Sequence, residues 1–443
     1  MRPRSKATGS CAAWAMREVR REVSTMALTL QSHALEVSHA PHPDGFARRP
    51  VERMRAALRR HVEHGWAPGL VTYVNHRGRE HVEAMGTMAF DGELPMARDT
   101  IFRLASMSKP ITAVGAMTLV EECRIRLDDP IDEWLPELKD RRVLRNLDSA
   151  LDDTVPAKRR LTVRDLFTFR SGYGEVAFTA PTCPLQRAMA EARLPLTEWI
   201  FPGTPDEFMK RLGALPLAFQ PGERWQYHMS TEILGVLISR VTGTPLGQFL
   251  RERVFEPLGM KDTGFNVPEA KLDRLPPCYG TDMVTGQLVV LDQARGGQVS
   301  RPPMFEAGAG GIVSTIDDMA AFGVMMLNQG AWQRERILSR RSIELMTMDH
   351  LTAEQKERSP FFPDFWSTRG WGLGLGVTTG RRDLADTPGG FGWDGAFGTS
   401  WFVDPRERLV GVLMIQRRPD VLDIPTITRD FWTSAYAMLD ERG

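Results

Sequence analysis

The stretch FRLASMSKPITAV, residues 102–114, holds the most informative pattern in the chain, a serine followed three residues later by a lysine at a helix start. Pro110 locates that start, because proline is tolerated only in the first helical turn, where its missing N–H has no partner. Ser106 and Lys109 then share one face of the helix. The sequence therefore predicts a hydroxyl and an amine side by side at a helix N-terminus.

This pairing suits a nucleophilic serine. The positive end of the helix dipole favours an alkoxide and disfavours a charged lysine. A buried lysine with a depressed pKa can then accept the proton of Ser106. Only 8 of the 56 basic residues are lysine, and chance predicts about 0.3 Ser-x-x-Lys tetrads in this composition. The alternative interpretation is a surface serine and lysine at a helix cap.

A tyrosine supplies the second candidate group. The stretch FQPGERWQYHMS, residues 219–230, precedes an apolar helix predicted from Ile233 to Val241. Tyr227 lies on the loop ahead of that helix, where its phenol can reach a cleft and shuttle a proton if nearby cations lower its pKa. A half-buried tyrosine bonded to the backbone is the alternative.

A glycine-rich strand entry forms the third candidate element. It is the stretch FGWDGAFGTSW, residues 391–401. Glycines let the backbone approach a ligand closely, and an N–H there can stabilise a developing oxyanion. A tight turn with glycine bulges would explain the same pattern without a function.

Strand patterns lie near both ends of the chain and helical patterns between them. Two hairpins are predicted, one around the turn Arg77-Gly78 and one around residues 404–407. Helices are predicted from Val51 to Val62 and from about Ile427 to Asp440, and residues 110–260 read as mostly helical. We therefore expect an α+β fold of three layers, in which the two terminal segments build one antiparallel sheet with helices on both faces and a mostly helical region inserted.

The same patterns suggest how the chain is organised. Residues 1–45 lack a sustained apolar period and are predicted to form a flexible extension. Residues 46–443 would form the catalytic domain, with an α/β part at about 46–125 and 290–443 and the helical insertion at about 126–289. Residues 175–205 are expected to line the pocket.

Composition excludes several classes of function. The 443 residues carry 56 acidic and 56 basic side chains, so the basic excess typical of nucleic-acid binding is missing. Four scattered cysteines do not indicate a disulfide framework. No apolar run approaches the length of a membrane span, and we expect a cytoplasmic protein.

Other catalytic schemes have little support in the sequence. No G-x-S-x-G elbow, H-E-x-x-H, dinucleotide fingerprint or P-loop is present. A Ser-His-Asp triad is possible but has no local support, since only His228 and His350 lie beyond residue 82. His61-x-x-His64 would need a third ligand to bind a metal. We therefore expect neither a metal nor a cofactor.

Taken in order, the three motifs resemble the serine β-lactamase and penicillin-binding-protein superfamily, in particular class C β-lactamase-like enzymes and family VIII carboxylesterases. The resemblance covers about residues 50 to 440. Further short matches extend it: LDDP (127–130), LTVRDL (161–166), SG (171–172), PGE (221–223), PLGM (257–260), GAGGIVSTIDD (308–318) and VDP (403–405).

The resemblance implies roles for the motif residues. Ser106 would be the acylated nucleophile and Lys109 its general base. Tyr227 would exchange the proton with Lys109 and the leaving group. The backbone N–H groups of Ser106 and Ala396 would form the oxyanion hole.

Two departures from the family pattern bear on the substrate. The last position of the tyrosine motif, Asn in class C enzymes, is Met229, and Trp393-Asp394-Gly395 replaces Lys-Thr-Gly. An indole beside a carboxylate would attract uncharged acyl groups and disfavour an anionic ligand. These four residues, Met229, Trp393, Asp394 and Gly395, are the expected substrate-binding positions.

The leading hypothesis is a serine hydrolase that cleaves small-molecule carboxylic esters through an acyl-enzyme on Ser106. The alternatives are a β-lactamase or D-alanyl carboxypeptidase, an acyltransferase of the same fold, and a non-catalytic ligand-binding homologue. Amides remain possible substrates. No nucleic-acid partner and no membrane span are expected, and the sequence does not predict an oligomeric state.

Overall fold

The structure is a computed structural model that describes residues 45–174, 183–194, 200–282, 284–420 and 425–439. The predicted N-terminal extension lies outside the described residues except for Gly45. So does much of the segment expected to line the pocket, at 175–182 and 195–199. The predicted domain boundaries stay a prediction.

A seven-stranded antiparallel sheet forms the centre of the fold. Its strands are β1 (Gly69–His76), β2 (Arg79–Gly86), β3 (Arg369–Trp371), β4 (Gly376–Thr378), β5 (Phe391–Asp394), β6 (Ser400–Asp404) and β7 (Leu409–Met414). Their order across the sheet is β3-β4-β5-β6-β7-β1-β2. The register pairs Val71 of β1 with Met414 of β7, so the two ends of the chain meet inside one sheet, as predicted.

Both predicted hairpins are present. β1 and β2 are joined by Arg77 and Gly78, whose φ angles of 55° and 86° are both positive. Positive φ at both central residues is the mark of a tight turn whose twist matches that of the flanking strands. β6 and β7 pair from Asp404 with Leu409 onward and form the second hairpin.

Helices cover both faces of the sheet. The α-helices of at least four residues are α1 (Arg48–Glu63), α2 (Ser108–Glu121), α3 (Val163–Phe167), α4 (Pro184–Glu191), α5 (Pro205–Gly213), α6 (Met229–Thr242), α7 (Leu246–Leu250), α8 (Ile316–Leu327), α9 (Arg340–Met346), α10 (Ala353–Glu357), α11 (Phe365–Thr368) and α12 (Thr426–Ala437). A wider π turn, Arg251–Phe255, and a single turn, Glu256–Leu258, continue α7. α1 and α12 pack together on one face through a cluster that includes Leu58, Leu413 and Phe431. On the other face, Phe322 of α8 packs against Trp401.

Short strand pairs and turns complete the fold. The pairs are Phe102–Arg103 with Val313–Ser314, Arg142–Leu144 with Thr154–Pro156, Cys278–Thr281 with Leu288–Asp292, and Ala331–Trp332 with Glu335–Arg336. The 3₁₀ turns are Ala105–Met107, Ile131–Glu133, Pro136–Leu138, Glu269–Arg274 and Gln298–Ser300. Within the described ranges no individual helix is long and apolar enough to cross a bilayer, and one bent pair, Met229–Thr242 with Leu246–Leu258, passes only by length and composition.

A buried arginine fixes the strand that leads into the nucleophile. The Arg103 side chain is fully buried and donates to Asp292 Oδ2 at 2.7 Å and to the Pro276 carbonyl at 2.7 Å. Its backbone N–H donates to Gln416 Oε1 at 3.0 Å. A buried charge is tolerated only when it is paired and hydrogen-bonded in this way. The approach to Ser106 is therefore tied to two distant parts of the chain.

Candidate active site

Ser106 lies where the sequence places it, at the entrance to a buried helix. The 3₁₀ turn Ala105–Met107 leads directly into α2, and Pro110 falls in the first turn of that helix. Ala105 has a φ of +47°, a left-handed conformation that is uncommon for a residue other than glycine. Such conformations persist where the surrounding structure enforces them, often at functional sites. Ser106 itself is 9% exposed.

Lys109 is fully buried and reaches the serine hydroxyl. Its Nζ lies 2.9 Å from Ser106 Oγ and 2.9 Å from the Ala309 carbonyl oxygen, both within hydrogen-bond range. It also lies 3.3 Å from His228 Nδ1 and 4.5 Å from the centre of the Tyr227 ring. The predicted amine and hydroxyl therefore meet, with the amine fully buried and the hydroxyl close to the surface.

Tyr227 borders the same site, 8% exposed. The residue after it, His228, has φ 77° and ψ −64°, and the Met229 N–H donates to the Tyr227 carbonyl at 3.1 Å. These angles and this bond define a γ-turn, a rare and strained reversal. The turn carries the chain from the loop of Tyr227 into α6. Trp393 Nε1 donates to the Tyr227 hydroxyl oxygen at 2.6 Å.

The turn after β5 packs directly against the nucleophile segment. A Cβ on Gly395 would overlap the Leu104 carbonyl and the Thr399 hydroxyl, so only glycine fits there. The Thr399 hydroxyl donates to the Leu104 carbonyl at 3.0 Å. Ala396, the next residue, is exposed, and among the described residues no atom accepts a hydrogen bond from its N–H. This arrangement suits the expected oxyanion donor.

Trp393 and Asp394 lie on opposite faces of β5, which corrects part of the expected substrate site. Ser400 Oγ donates to Asp394 Oδ1 at 2.5 Å and accepts from Trp432 Nε1 of α12 at 2.9 Å. Burial raises the pKa of the Asp394 carboxyl above its ordinary value. Successive side chains of a strand alternate between faces, so Asp394 faces α12 while Trp393 faces Tyr227. Asp394 is therefore not beside the reacting groups.

Met229, another of the expected substrate-binding residues, lies in the core. It is fully buried at the start of α6 and belongs to the main hydrophobic core. Its side chain packs in the core one residue after the γ-turn at His228. The expectation that Met229 contacts substrate stays a prediction, and this buried position gives it no support.

Two polar residues beside Lys109 and Tyr227 were not expected in the site: the sequence offered His228 only as a triad member without local support, and it gave no role to Glu232. His228 Nε2 lies 3.4 Å from Glu232 Oε1, and the Glu232 side chain is fully buried. Burial, and then the charge of Lys109, lower the pKa of His228, while Glu232 acts in the opposite direction. The adjacency of His228 to Tyr227 was the available signal, but the contact with Lys109 joins residues 119 positions apart.

An aromatic cluster beside Tyr227 was missed as well. Its buried members are five aromatic residues and one leucine: Phe169, Trp225, Tyr227, Trp371, Trp393 and Leu351. Three partly exposed aromatic residues pack against them: Phe361, Phe365 and Trp366. Trp393 packs edge-on against Trp371 with the ring centres 4.7 Å apart. The run of four aromatic residues within positions 361–366 was the signal in the sequence. The cluster surrounds the phenol with apolar surface.

Comparison with known proteins places this chain in a family. A model of the family described as Beta-lactamase matches residues 54–429. The chain belongs to the beta-lactamase family. Protein Rv1367c of Mycobacterium tuberculosis is 39% identical over 376 residues, which cover 83% of this chain and 90% of that protein. Esterase EstB of Burkholderia gladioli is 30% identical and covers 72% of this chain and 78% of its own length.

Solved structures agree with the beta-lactamase family fold. The structure titled EstCE1, a hydrolase with promiscuous acyltransferase activity, superposes with a TM-score of 0.70, at 22% identity, over 87% of this chain and 98% of its own. The expected family and the expected α+β architecture are therefore confirmed. Met229 and Trp393 are the two positions at which the sequence departs from the expected motifs, and both side chains are buried in this structure.

Proposed function

We propose that this protein is a serine hydrolase that cleaves carboxylic esters through a covalent acyl-enzyme on Ser106. The observation that carries the proposal is the 2.9 Å approach of the buried Lys109 amine to the Ser106 hydroxyl at the start of α2. A nucleophile within hydrogen-bond reach of its base is the required geometry. The presence of an esterase among relatives at 30% identity supports the same reaction class.

In the first step, neutral Lys109 takes the proton of Ser106 while the oxygen bonds to the acyl carbon of the ester. The carbonyl oxygen becomes an oxyanion, and the N–H groups of Ser106 and Ala396 would donate to it. As the bond to the leaving alcohol breaks, that alcohol takes up the proton from Lys109 by way of the Tyr227 hydroxyl. Water then cleaves the acyl-enzyme, with the same groups acting in reverse.

Trp393 makes esters a better substrate class than penicillins. It stands where β-lactamases have the lysine of Lys-Thr-Gly, so the site offers an indole in place of a cation at that position. Asp394 does not contribute to this preference, because it faces α12. An anionic substrate carboxylate would leave water here without gaining an ionic partner from this residue.

Short-chain p-nitrophenyl esters test the proposal. We expect the wild type to turn them over and Ser106→Ala to lose nearly all activity, whereas nitrocefin is hydrolysed far more slowly. Retention of most esterase activity by Ser106→Ala would refute the role of Ser106. Rapid nitrocefin hydrolysis would favour the β-lactamase alternative, and transfer of the acyl group to an added alcohol would favour the acyltransferase. A fluorophosphonate that fails to label Ser106 would favour a non-catalytic binder.

A further inference from the structure

Three hydrogen-bond partners surround the Lys109 amine from different directions. They are Ser106 Oγ at 2.9 Å, the Ala309 carbonyl at 2.9 Å and His228 Nδ1 at 3.3 Å. A neutral amine has two N–H groups and one lone pair, whereas an ammonium has three N–H groups. A neutral amine can therefore donate to two of these atoms and accept a hydrogen bond from the third, and an ammonium can donate to all three.

We propose that His228 is a positioning residue for the esterase reaction. Its Nδ1 accepts one N–H group of neutral Lys109 and the Ala309 carbonyl accepts the other, so that the lone pair of the amine points at the Ser106 hydroxyl. The inference rests on the proposed function, because it concerns the same proton transfer. A carbonyl oxygen accepts and never donates, so Ala309 fixes one N–H and His228 fixes the other.

The position of the imidazole is held by the backbone. His228 is the central residue of the γ-turn, in a conformation rarely occupied by residues with a side chain. The same turn points Tyr227 toward Trp393 and Met229 into the core. A strained conformation that the surrounding packing enforces is the kind of feature that active sites retain.

Glu232 selects the tautomer that this role needs. Its carboxylate is one turn further along α6, 3.4 Å from His228 Nε2, and it offers only acceptors. The proton of the neutral ring is therefore favoured on Nε2, which leaves Nδ1 free to accept from Lys109. The titratable groups facing His228 are Lys109 from α2 and Glu232 from its own helix. Burial is the main cause that holds the pKa of His228 below its ordinary value, and it acts whether or not Lys109 is protonated, so the ring is neutral at pH 7.

The same arrangement serves the state after proton transfer. Lys109 then carries three N–H groups, and they face the Ala309 carbonyl, His228 Nδ1 and the Ser106 oxygen, which is now bonded to the acyl group. No partner has to move when the proton arrives. Groups that are already oriented before the charge develops are what makes electrostatic stabilisation effective.

Three substitutions of His228 distinguish the effect of its hydrogen-bond acceptor from the effect of its ring. His228→Asn keeps an acceptor near the position of Nδ1, His228→Gly removes it, and both residues tolerate positive φ, so both are expected to fold. His228→Leu matches Asn in shape without the acceptor. His61→Asn is the matched control, because His61 contacts Asp430 of α12, on the outer face of the sheet.

The measurement is the rate at which a fluorophosphonate labels Ser106, together with kcat and KM for a p-nitrophenyl ester. We expect His228→Gly and His228→Leu to lose about 10- to 100-fold in labelling rate and kcat, the range of one hydrogen bond to a charged group, with KM little changed. His228→Asn should recover most of the loss, and His61→Asn should match the wild type.

The outcomes distinguish failure of the proposed role of His228 from failure of the proposed function. If the wild type is not labelled at Ser106, the proposed function fails and the inference falls with it. If the wild type is labelled and all three variants react at its rate, His228 has no positioning role. Equal losses in His228→Asn, His228→Gly and His228→Leu would also overturn the inference, because packing of the ring, and not its acceptor, would then be responsible.

Discussion

The hydrogen bond between Trp393 and Tyr227 gives the sharpest test of the proton path. Trp393 Nε1 lies 2.6 Å from the Tyr227 hydroxyl oxygen, and both side chains are more than nine-tenths buried. Trp393→Phe keeps a six-membered ring in the aromatic cluster but deletes the donor. If the Tyr227 oxygen gains negative charge as the proton moves, that donor stabilises the transition state more than the resting enzyme.

The size of the effect follows from the charge on the acceptor. A hydrogen bond to a neutral oxygen contributes about 0.5–1.5 kcal/mol, and one to a charged oxygen about 1.5–3 kcal/mol. Because the resting enzyme already has the weaker bond, only the difference between the two ranges, about 1–1.5 kcal/mol, acts on catalysis, which corresponds to a loss of about 5- to 10-fold in kcat/KM for Trp393→Phe. The smaller ring also loses apolar contacts, which lowers the free energy of unfolding without acting on the proton path.

A double-mutant cycle with Tyr227→Phe isolates the hydrogen bond from that packing loss. The four proteins are assayed with p-nitrophenyl esters, and log kcat/KM is compared. We expect Trp393→Phe to have little further effect once the Tyr227 hydroxyl is gone, so the coupling is about 1–1.5 kcal/mol. Additive effects, with coupling below about 0.5 kcal/mol, would refute a role for this bond in the reaction.

Two further predictions concern stability. Arg103→Met leaves buried Asp292 without its ionic partner and should lower the free energy of unfolding, measured in urea, by about 3–5 kcal/mol. As a control, Arg98→Met breaks the exposed pair of Arg98 and Asp317 and should lower it by less than about 1 kcal/mol. Equal losses would contradict the structural role of Arg103. Burial, followed by nearby arginines, lowers the pKa of His350 from its ordinary value of 6.5. Below pH 6.5 the unfolded chain therefore binds a proton that the folded chain does not, and the free energy of unfolding falls as the pH drops. His350→Asn should flatten this decline between pH 7.5 and 5.5 in urea unfolding, and an unchanged slope would count against the assignment.

Local patterns carried most of what the sequence could predict. The turn at Arg77-Gly78 and the helix start marked by Pro110 depend on backbone preferences of adjacent residues, which the sequence displays directly. The joining of β1 to β7 followed from strand patterns at both ends. Ser106 and Lys109 are three residues apart where a 3₁₀ turn runs into α2, so their contact too was predictable.

Contacts between distant segments were not predictable in the same way. The approach of His228 to Lys109 depends on a γ-turn that no residue pattern announces, because histidine rarely takes that conformation. The placement of Asp394 on the face of β5 opposite to Trp393 follows from a pattern that the sequence already contained. Adjacent residues of a strand face opposite sides, so Trp393 and Asp394 cannot both line one cleft.

Intact-protein mass spectrometry after brief exposure to a p-nitrophenyl ester tests the central claim most directly. We expect a mass increase equal to one acyl group, located on the peptide that contains Ser106 and missing from Ser106→Ala. Ester turnover without any such adduct in rapidly quenched samples, or an adduct that persists in Ser106→Ala, would contradict it.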